Sequence, residues 1–372
     1  MRAFHCSCGQ PLFWDNTRCL GCGSDIAYDP TANALDAIRA TGDGRWTLAG
    51  DTRDPAPQFR LCAQRDAPSA CNWLIGADEP NTLCLSCRLT RTIPDLSRPR
   101  NRRRLGEIEA AKRRVLFVLQ ICGLPVVARG DDPQRGLAFD LLESLPDAPP
   151  VLTGHASGLI TLNVAEADDD YREQNREALK EPYRTVVGHL RHELGHYYWD
   201  RLIRDSHWLE PFRGLFGDER TDYGAALDRH YRDGPPPGWQ DRFISSYAAT
   251  HPWEDWAETW AHYLHLRATL QTVESYGLSI AGARLHITPF DADVLYPAGS
   301  AGERQAFLDW INAWIVLTAV LNETARSMGQ PDVYPFVMNR SVVTKLHFVQ
   351  CVVGEQDLRD LPAPPPTLAP PA

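Results

Sequence analysis

The sequence predicts an α+β protein in which a small β-rich N-terminal region precedes a larger, mainly helical domain. Three observations carry that expectation. Eight of the ten cysteines lie before position 88, several in short-spaced pairs. The stretch Thr185 to Ile203, TVVGHLRHELGHYYWDRLI, sets two histidines four residues apart in a proline-free, largely apolar pattern. A second helical stretch opens at Pro252 and sets Glu254 and Glu258 at the same spacing.

At 372 residues the chain is long enough for two domains, one with a sizeable core. A net charge of −10 argues against chain-wide affinity for nucleic acid or for an anionic membrane surface. The opening MRAFHCSCGQPLFW lacks the apolar run of a signal peptide. No uninterrupted apolar stretch reaches the roughly 18 residues that span a bilayer, and the most apolar segment, Trp310 to Leu321, reads as a core helix. The expectation is a cytoplasmic protein without membrane contact. No internal repeat is evident.

Taken in order, Cys6-x-Cys8 and Cys19-x-x-Cys22 form a compact four-thiolate set, with Gly9, Gly21 and Gly23 supplying tight turns. Cys62, Cys71, Cys84 and Cys87 form a second. In a cytosolic chain such pairs read as zinc ligands in preference to disulfides. Four thiolates close the coordination sphere, so both sites are expected to be structural. Trp14, Tyr28, Trp46 and Trp73 are the expected small core around them. Cys122 and Cys351 stand alone in apolar surroundings and read as core residues. Thr41 to Gln58 reads as turns and short strands.

Residues 98–122 read as a linker helix. Eight basic residues between Arg98 and Arg114 face only Glu107 and Glu109, a pattern that also suits a nucleic-acid patch. The solvated helix face is favoured, because Leu105, Ile108, Ala111, Val115 and Leu119 recur at helical spacing and no aromatic residue interleaves the arginines. Gly158 to Ala165 is the best strand candidate. Asp168, Asp169 and Asp170 read as a solvated turn.

His192-Glu193-Leu194-Gly195-His196 carries the chemistry. Positions i and i+4 share a helix face, so His192 and His196 can turn two imidazoles to one zinc, with Glu193 beside it as general base. Gly195 is costly inside a helix, which points to a close packing contact. A hydrolytic site needs a third ligand. Pro252, followed by Glu254, Asp255 and Glu258, suits a helix N-terminus, and three tryptophans in eight residues argue for its burial. Spacing alone leaves Glu254, His251, Glu258, His262 and the Asp218–Glu219 pair open as that ligand. His262 is the expected oxyanion donor, with Tyr247 and Tyr263 as alternatives. Phe216 to Tyr223, acidic and between the two helices, is a candidate cleft wall.

The Glu254-x-x-x-Glu258 arrangement resembles the gluzincin pattern, and that resemblance makes Glu254 the third zinc ligand and Glu258 the partner that fixes the tautomer of His192. RHELGHYYWD, FGDERTDY and HPWEDWAETWAHYLH together resemble a bacterial family of zinc-binding metallopeptidases with an N-terminal zinc-ribbon region. The resemblance implies a zincin-like peptidase domain, in which Ile160 to Ala165 would be the strand at the cleft edge. The expected organisation is a tandem zinc-ribbon region over 1–97, the linker helix, a peptidase domain over 123–355 and a disordered proline-rich tail over 356–372. One catalytic and two structural zinc ions are expected, with a peptide or protein as substrate. Rival readings are a zinc-ribbon module that binds nucleic acid or protein and whose metal helix is inert, and a zinc hydrolase of a non-peptide amide.

Overall fold

A computed structural model of the chain describes residues 2–179, 181–280 and 282–355. The tail over 356–372 lies outside these residues. The fold is α+β, and it divides into two compact units: residues 2–153 with 161–168, and residues 154–160 with 169–355.

The first unit holds the cysteine-rich region. Strands β1 (Phe4–His5) and β2 (Pro11–Leu12) form a small antiparallel ribbon. A five-stranded antiparallel meander follows, in the order β3 (Ile26–Asp29), β4 (Ala34–Gly42), β5 (Arg45–Leu48), β6 (Phe59–Leu61) and β7 (Leu74–Gly76). Ile26 lies opposite Ala37, Trp46 opposite Phe59, and Leu61 opposite Leu74. Ala27, Ile38, Leu48, Phe59 and Leu74 bury one apolar cluster, against which Trp46 is half-buried. A second, aromatic cluster brings Trp14 within 4.5 Å of Tyr28 and 4.6 Å of Phe117, centroid to centroid, with Tyr28 5.2 Å from Trp73. Three of the four expected core aromatics therefore meet. Trp46 belongs to the other cluster.

Phe117 comes from the segment expected to be a linker. After the short helix α1 (Leu85–Arg88) and strand β8 (Thr90–Thr92), helix α2 (Pro99–Ile121) starts with Pro99 in its first turn. It buries Leu105, Ile108, Val115, Leu116, Phe117 and Leu119, and belongs to the compact first unit. Strand β9 (Ala138–Leu142) pairs in parallel with β8. The basic start of α2 is largely paired. Arg98 meets Glu143 at 3.0 Å, and Arg103 and Arg104 both bind Asp168. Asp168 is buried, at 7% exposure, where the aspartate run reads as a solvated turn. A carboxylate leaves water here because two guanidiniums replace its hydration.

The second unit opens with β10 (Gly154–Ala156), which turns through Ser157 and Gly158, both at positive φ, into β11 (Leu159–Asn163), whose last three residues belong to the first unit. β11 ends in a 3₁₀ turn at Val164, so the expected strand is shorter than its apolar run. Helices α3 (Asp169–Leu179), α4 (Val186–Leu202), α5 (Leu209–Phe216), α6 (Tyr223–Asp233), α7 (Pro252–Ser275), α8 (Ala301–Ser327) and α9 (Arg340–Gly354) complete the unit.

α4 and α7 form its centre. The Thr185 hydroxyl caps α4 by accepting from the Gly188 N–H, and the His251 imidazole caps α7 by accepting from the Trp253 N–H. Gly195 marks the crossing: a Cβ there would lie 2.8 Å from Ala257 Cα. The Trp256 indole donates to the Gly195 carbonyl at 2.9 Å, and Trp256 and Trp260 are fully buried. α9 holds α7 through a buried ion pair, Lys345 Nζ to Asp255 Oδ2 at 2.7 Å. α8, expected as a core helix, buries only one face: Phe307, Ile311, Trp314 and Leu317 face inward while Val320 is 42% exposed. Among the described residues, no helix is long and apolar enough to cross a membrane.

Candidate metal centre and active site

α4 and α7 carry three groups into one place. The ligand atoms of His192, His196 and Glu254 all lie within 4.8 Å of one another. His192 Nε2 is 2.9 Å from Glu254 Oε2, and His196 Nε2 is 3.5 Å from Glu254 Oε1. His192 Nδ1 lies 2.7 Å from Glu258 Oε1, and the second oxygen of Glu258 accepts from the Ser245 hydroxyl at 2.6 Å. With its proton on Nδ1 for Glu258, neutral His192 turns the lone pair of Nε2 towards the Glu254 carboxylate. Two electron-rich atoms at that distance need a cation, and this donor set suits zinc.

Without a metal, a proton takes the place of that cation: burial opposes charge on His192, but Glu254 and Glu258 raise its pKa well above the usual value. Burial pushes Glu254 up, and the two imidazoles outweigh it, holding the carboxyl well below its usual range. Burial raises the pKa of Glu193, against a partial pull down from His192 and His196. Burial first, then the charge of Glu254 and, least, that of Glu193 raise the hydroxyl pKa values of Tyr223 and Tyr247.

The cysteines gather as two sets of four: Cys6, Cys8, Cys19 and Cys22, then Cys62, Cys71, Cys84 and Cys87. Sulfur separations are 3.7 Å for Cys6–Cys22 and Cys8–Cys19, and 3.5 Å for Cys71–Cys84. A tetrahedron with zinc–sulfur bonds of about 2.3 Å has edges of about 3.8 Å, whereas a disulfide needs about 2.05 Å. The Cys84 N–H also donates to Cys62 Sγ at 3.4 Å. Both sets fit zinc.

Residues 101–352 match the family described as "Putative zinc-binding metallo-peptidase", and residues 3–98 match a zinc-ribbon domain. The chain belongs to this zinc-binding metallo-peptidase family. Uncharacterized proteins of Mycobacterium tuberculosis and Mycobacterium bovis are each 44% identical to it over 357 residues, covering 95% of this chain and 96% of theirs. No solved structure matches.

The remaining expected site residues divide. His262, the expected oxyanion donor, is buried with its Nδ1 2.6 Å from the Tyr334 hydroxyl and its ring 4.3 Å from Phe336. The Tyr263 hydroxyl is bound to Gln350 at 3.0 Å. Tyr247 keeps a place at the centre, its ring 5.8 Å from that of His192. His251 is a helix cap, with Nε2 3.1 Å from the Thr221 carbonyl oxygen. Asp218 pairs with Arg220, and Glu219 with Arg213. Cys122 and Cys351 are half-buried, outside both cysteine sets.

Three neighbours of the centre are not legible in any local pattern. The Tyr223 hydroxyl donates to Glu254 Oε1 at 2.7 Å; the stretch holding it reads only as a cleft wall. Ser245 anchors Glu258. His155, in β10, sets its ring 6.3 Å from that of His196 and nearly parallel to it. The strand packed beside α4 is thus β10, where the resemblance points to Ile160 to Ala165, because the tight turn at Ser157 and Gly158 brings the preceding strand to the helix.

Proposed function

We propose that this protein is a zinc-dependent peptidase that hydrolyses an amide bond with Glu193 as general base. The observation that carries the reading is the convergence of His192, His196 and Glu254 with the buried Glu193 between them in sequence. His192, His196 and Glu254 would hold one zinc, and each cysteine set one more. A zinc bound by three protein groups polarises a carbonyl and lowers the pKa of water, and four-thiolate sites supply folding energy alone.

Glu193 takes a proton from the attacking water and returns it to the leaving amine. Its raised pKa favours taking up that proton and holding it between the two steps, which a carboxyl in water is too acidic to do. Glu258 fixes the tautomer of His192, and Ser245 fixes Glu258. Tyr247 supplies a hydroxyl donor beside the reacting carbonyl, while the Tyr223 hydroxyl holds Glu254. His262 serves packing through Tyr334 instead.

The test joins metal content to activity. Wild type is expected to hold about three zinc ions per chain, and His192→Ala/His196→Ala about two in a folded protein. Glu193→Gln should keep all of them and lose activity on peptides by about 10²–10⁴-fold. Equal metal content in wild type and double variant would overturn the reading and leave an N-terminal binding module ahead, and full activity in Glu193→Gln would overturn Glu193 as the general base.

A further inference from the structure

A pocket of about 490 Å³ opens in the second unit, lined by Trp199, Arg204, Leu209, Arg213, Tyr223 and Trp253 among others. Two of these residues touch the metal-centre residues directly. The Trp253 ring lies 3.9 Å from that of His196, and the Tyr223 hydroxyl donates to Glu254. The pocket therefore adjoins the centre.

The charges in the wall are already partnered. Arg213 holds Glu219 through two bonds, at 3.0 and 2.5 Å, and reaches Glu210 at 2.7 Å. Arg204 pairs with Asp200 at 2.5 Å and lies over the Trp199 ring, 5.4 Å from its centroid. An incoming anion would compete with these carboxylates for the guanidiniums. Apart from the ion pairs and His251, the lining is two indoles, a phenol ring and Leu209. Such surfaces attract a flat aromatic ring through edge, face and cation–π contacts. The volume falls within the range of pockets that take small molecules, about 300–1,000 Å³, and is generous for one side chain.

The geometry points to this pocket as the specificity site for a large aromatic side chain, that of Phe, Tyr or Trp, on the residue flanking the scissile amide. The inference rests on the peptidase reading for its meaning, but its binding chemistry stands apart from cleavage.

Two measurements on the zinc-loaded full chain separate them. In the first, a peptide mixture is digested and the cleavage sites read by mass spectrometry, followed by kcat/KM for matched peptides carrying Tyr, Ala or Glu at the selected position. In the second, binding of N-acetyl-tyrosinamide and N-acetyl-alaninamide is measured by calorimetry. Both use wild type and Leu209→Trp, which fills the pocket, with Arg204→Ala as a second variant should the first not fold. The expected result is at least a tenfold preference for Tyr over Ala in wild type, reduced to near parity in Leu209→Trp. Selective tyrosinamide binding that Leu209→Trp abolishes, without cleavage of any peptide, would uphold the pocket and overturn the peptidase. Cleavage indifferent to the aromatic residue, or favouring Glu or a terminal carboxylate, would overturn the pocket and leave the peptidase standing. Neither cleavage nor selective binding would overturn both.

Discussion

Glu258 Oε1 lies 2.7 Å from His192 Nδ1, and the other oxygen of the same carboxylate is held by Ser245 at 2.6 Å. The orientation of His192 towards Glu254 is thus set by residues outside the His192, His196 and Glu254 group. Replacing Glu258 by Gln keeps the shape and removes the charge that makes the imidazole a stronger donor. Metal affinity of the histidine group is expected to fall about 10–100-fold, while zinc in the cysteine sets is retained. Chelator titration with metal analysis of the protein checks this. Unchanged affinity at the histidine group would remove Glu258 from the design of the centre.

Gly195 allows α4 and α7 to approach until a Cβ would meet Ala257 Cα at 2.8 Å. Gly195→Val forces the helices apart and is expected to cost about 1–3 kcal/mol of stability, with a loss of metal affinity because His192 and His196 share α4 while Glu254 sits on α7. Urea unfolding of the zinc-loaded proteins reads the first effect and metal titration the second. A variant as stable as wild type would show that the crossing has slack.

The buried Lys345–Asp255 pair ties α9 to α7 one residue beyond Glu254. Lys345→Met leaves a buried carboxylate without its cation, and the expected loss is about 3–5 kcal/mol. In Lys345→Met/Asp255→Asn the uncompensated charge is gone, so much of that stability should return. A double-mutant cycle by denaturant unfolding measures the coupling, and simple additivity would refute it.

In the first unit, the bonds from Arg104 hold the Asp168 carboxyl below its usual pKa, against the effect of burial. A depressed folded pKa means that the unfolded chain binds the proton first. The contribution of Asp168 is therefore fully present above the unfolded value of about 3.9 and is lost as pH falls through the lower folded value. Asp168→Asn should destabilise the protein at neutral pH and flatten this part of the acid limb. Unfolding midpoints measured from pH 7 down to the acid transition test it. Parallel curves for the two proteins would count against the linkage.

Much of the centre is readable because it depends on local periods. A spacing of four residues puts His192 with His196, and Glu254 with Glu258, on single helix faces whatever surrounds them. The costly Gly195 inside an apolar helix announced a close contact, and Pro252 announced the start of α7. Cysteine pairs separated by one or two residues close on a metal through local turns alone. A charged run without a local partner is less legible: Asp168 is buried only because Arg103 and Arg104, more than sixty residues away, supply its counter-charge.

By itself, then, the order of residues determined which side chains share a helix face, where two helices begin and which cysteines can meet. Tertiary structure alone decided that Tyr223 reaches Glu254, that Ser245 holds Glu258, that β10 brings His155 beside His196, and that Phe117 joins the aromatic cluster of the first unit. The reason is physical. A helix or turn repeats over a few residues and leaves its period in the sequence, whereas a contact between distant segments is chosen by the packing of the whole unit and leaves none.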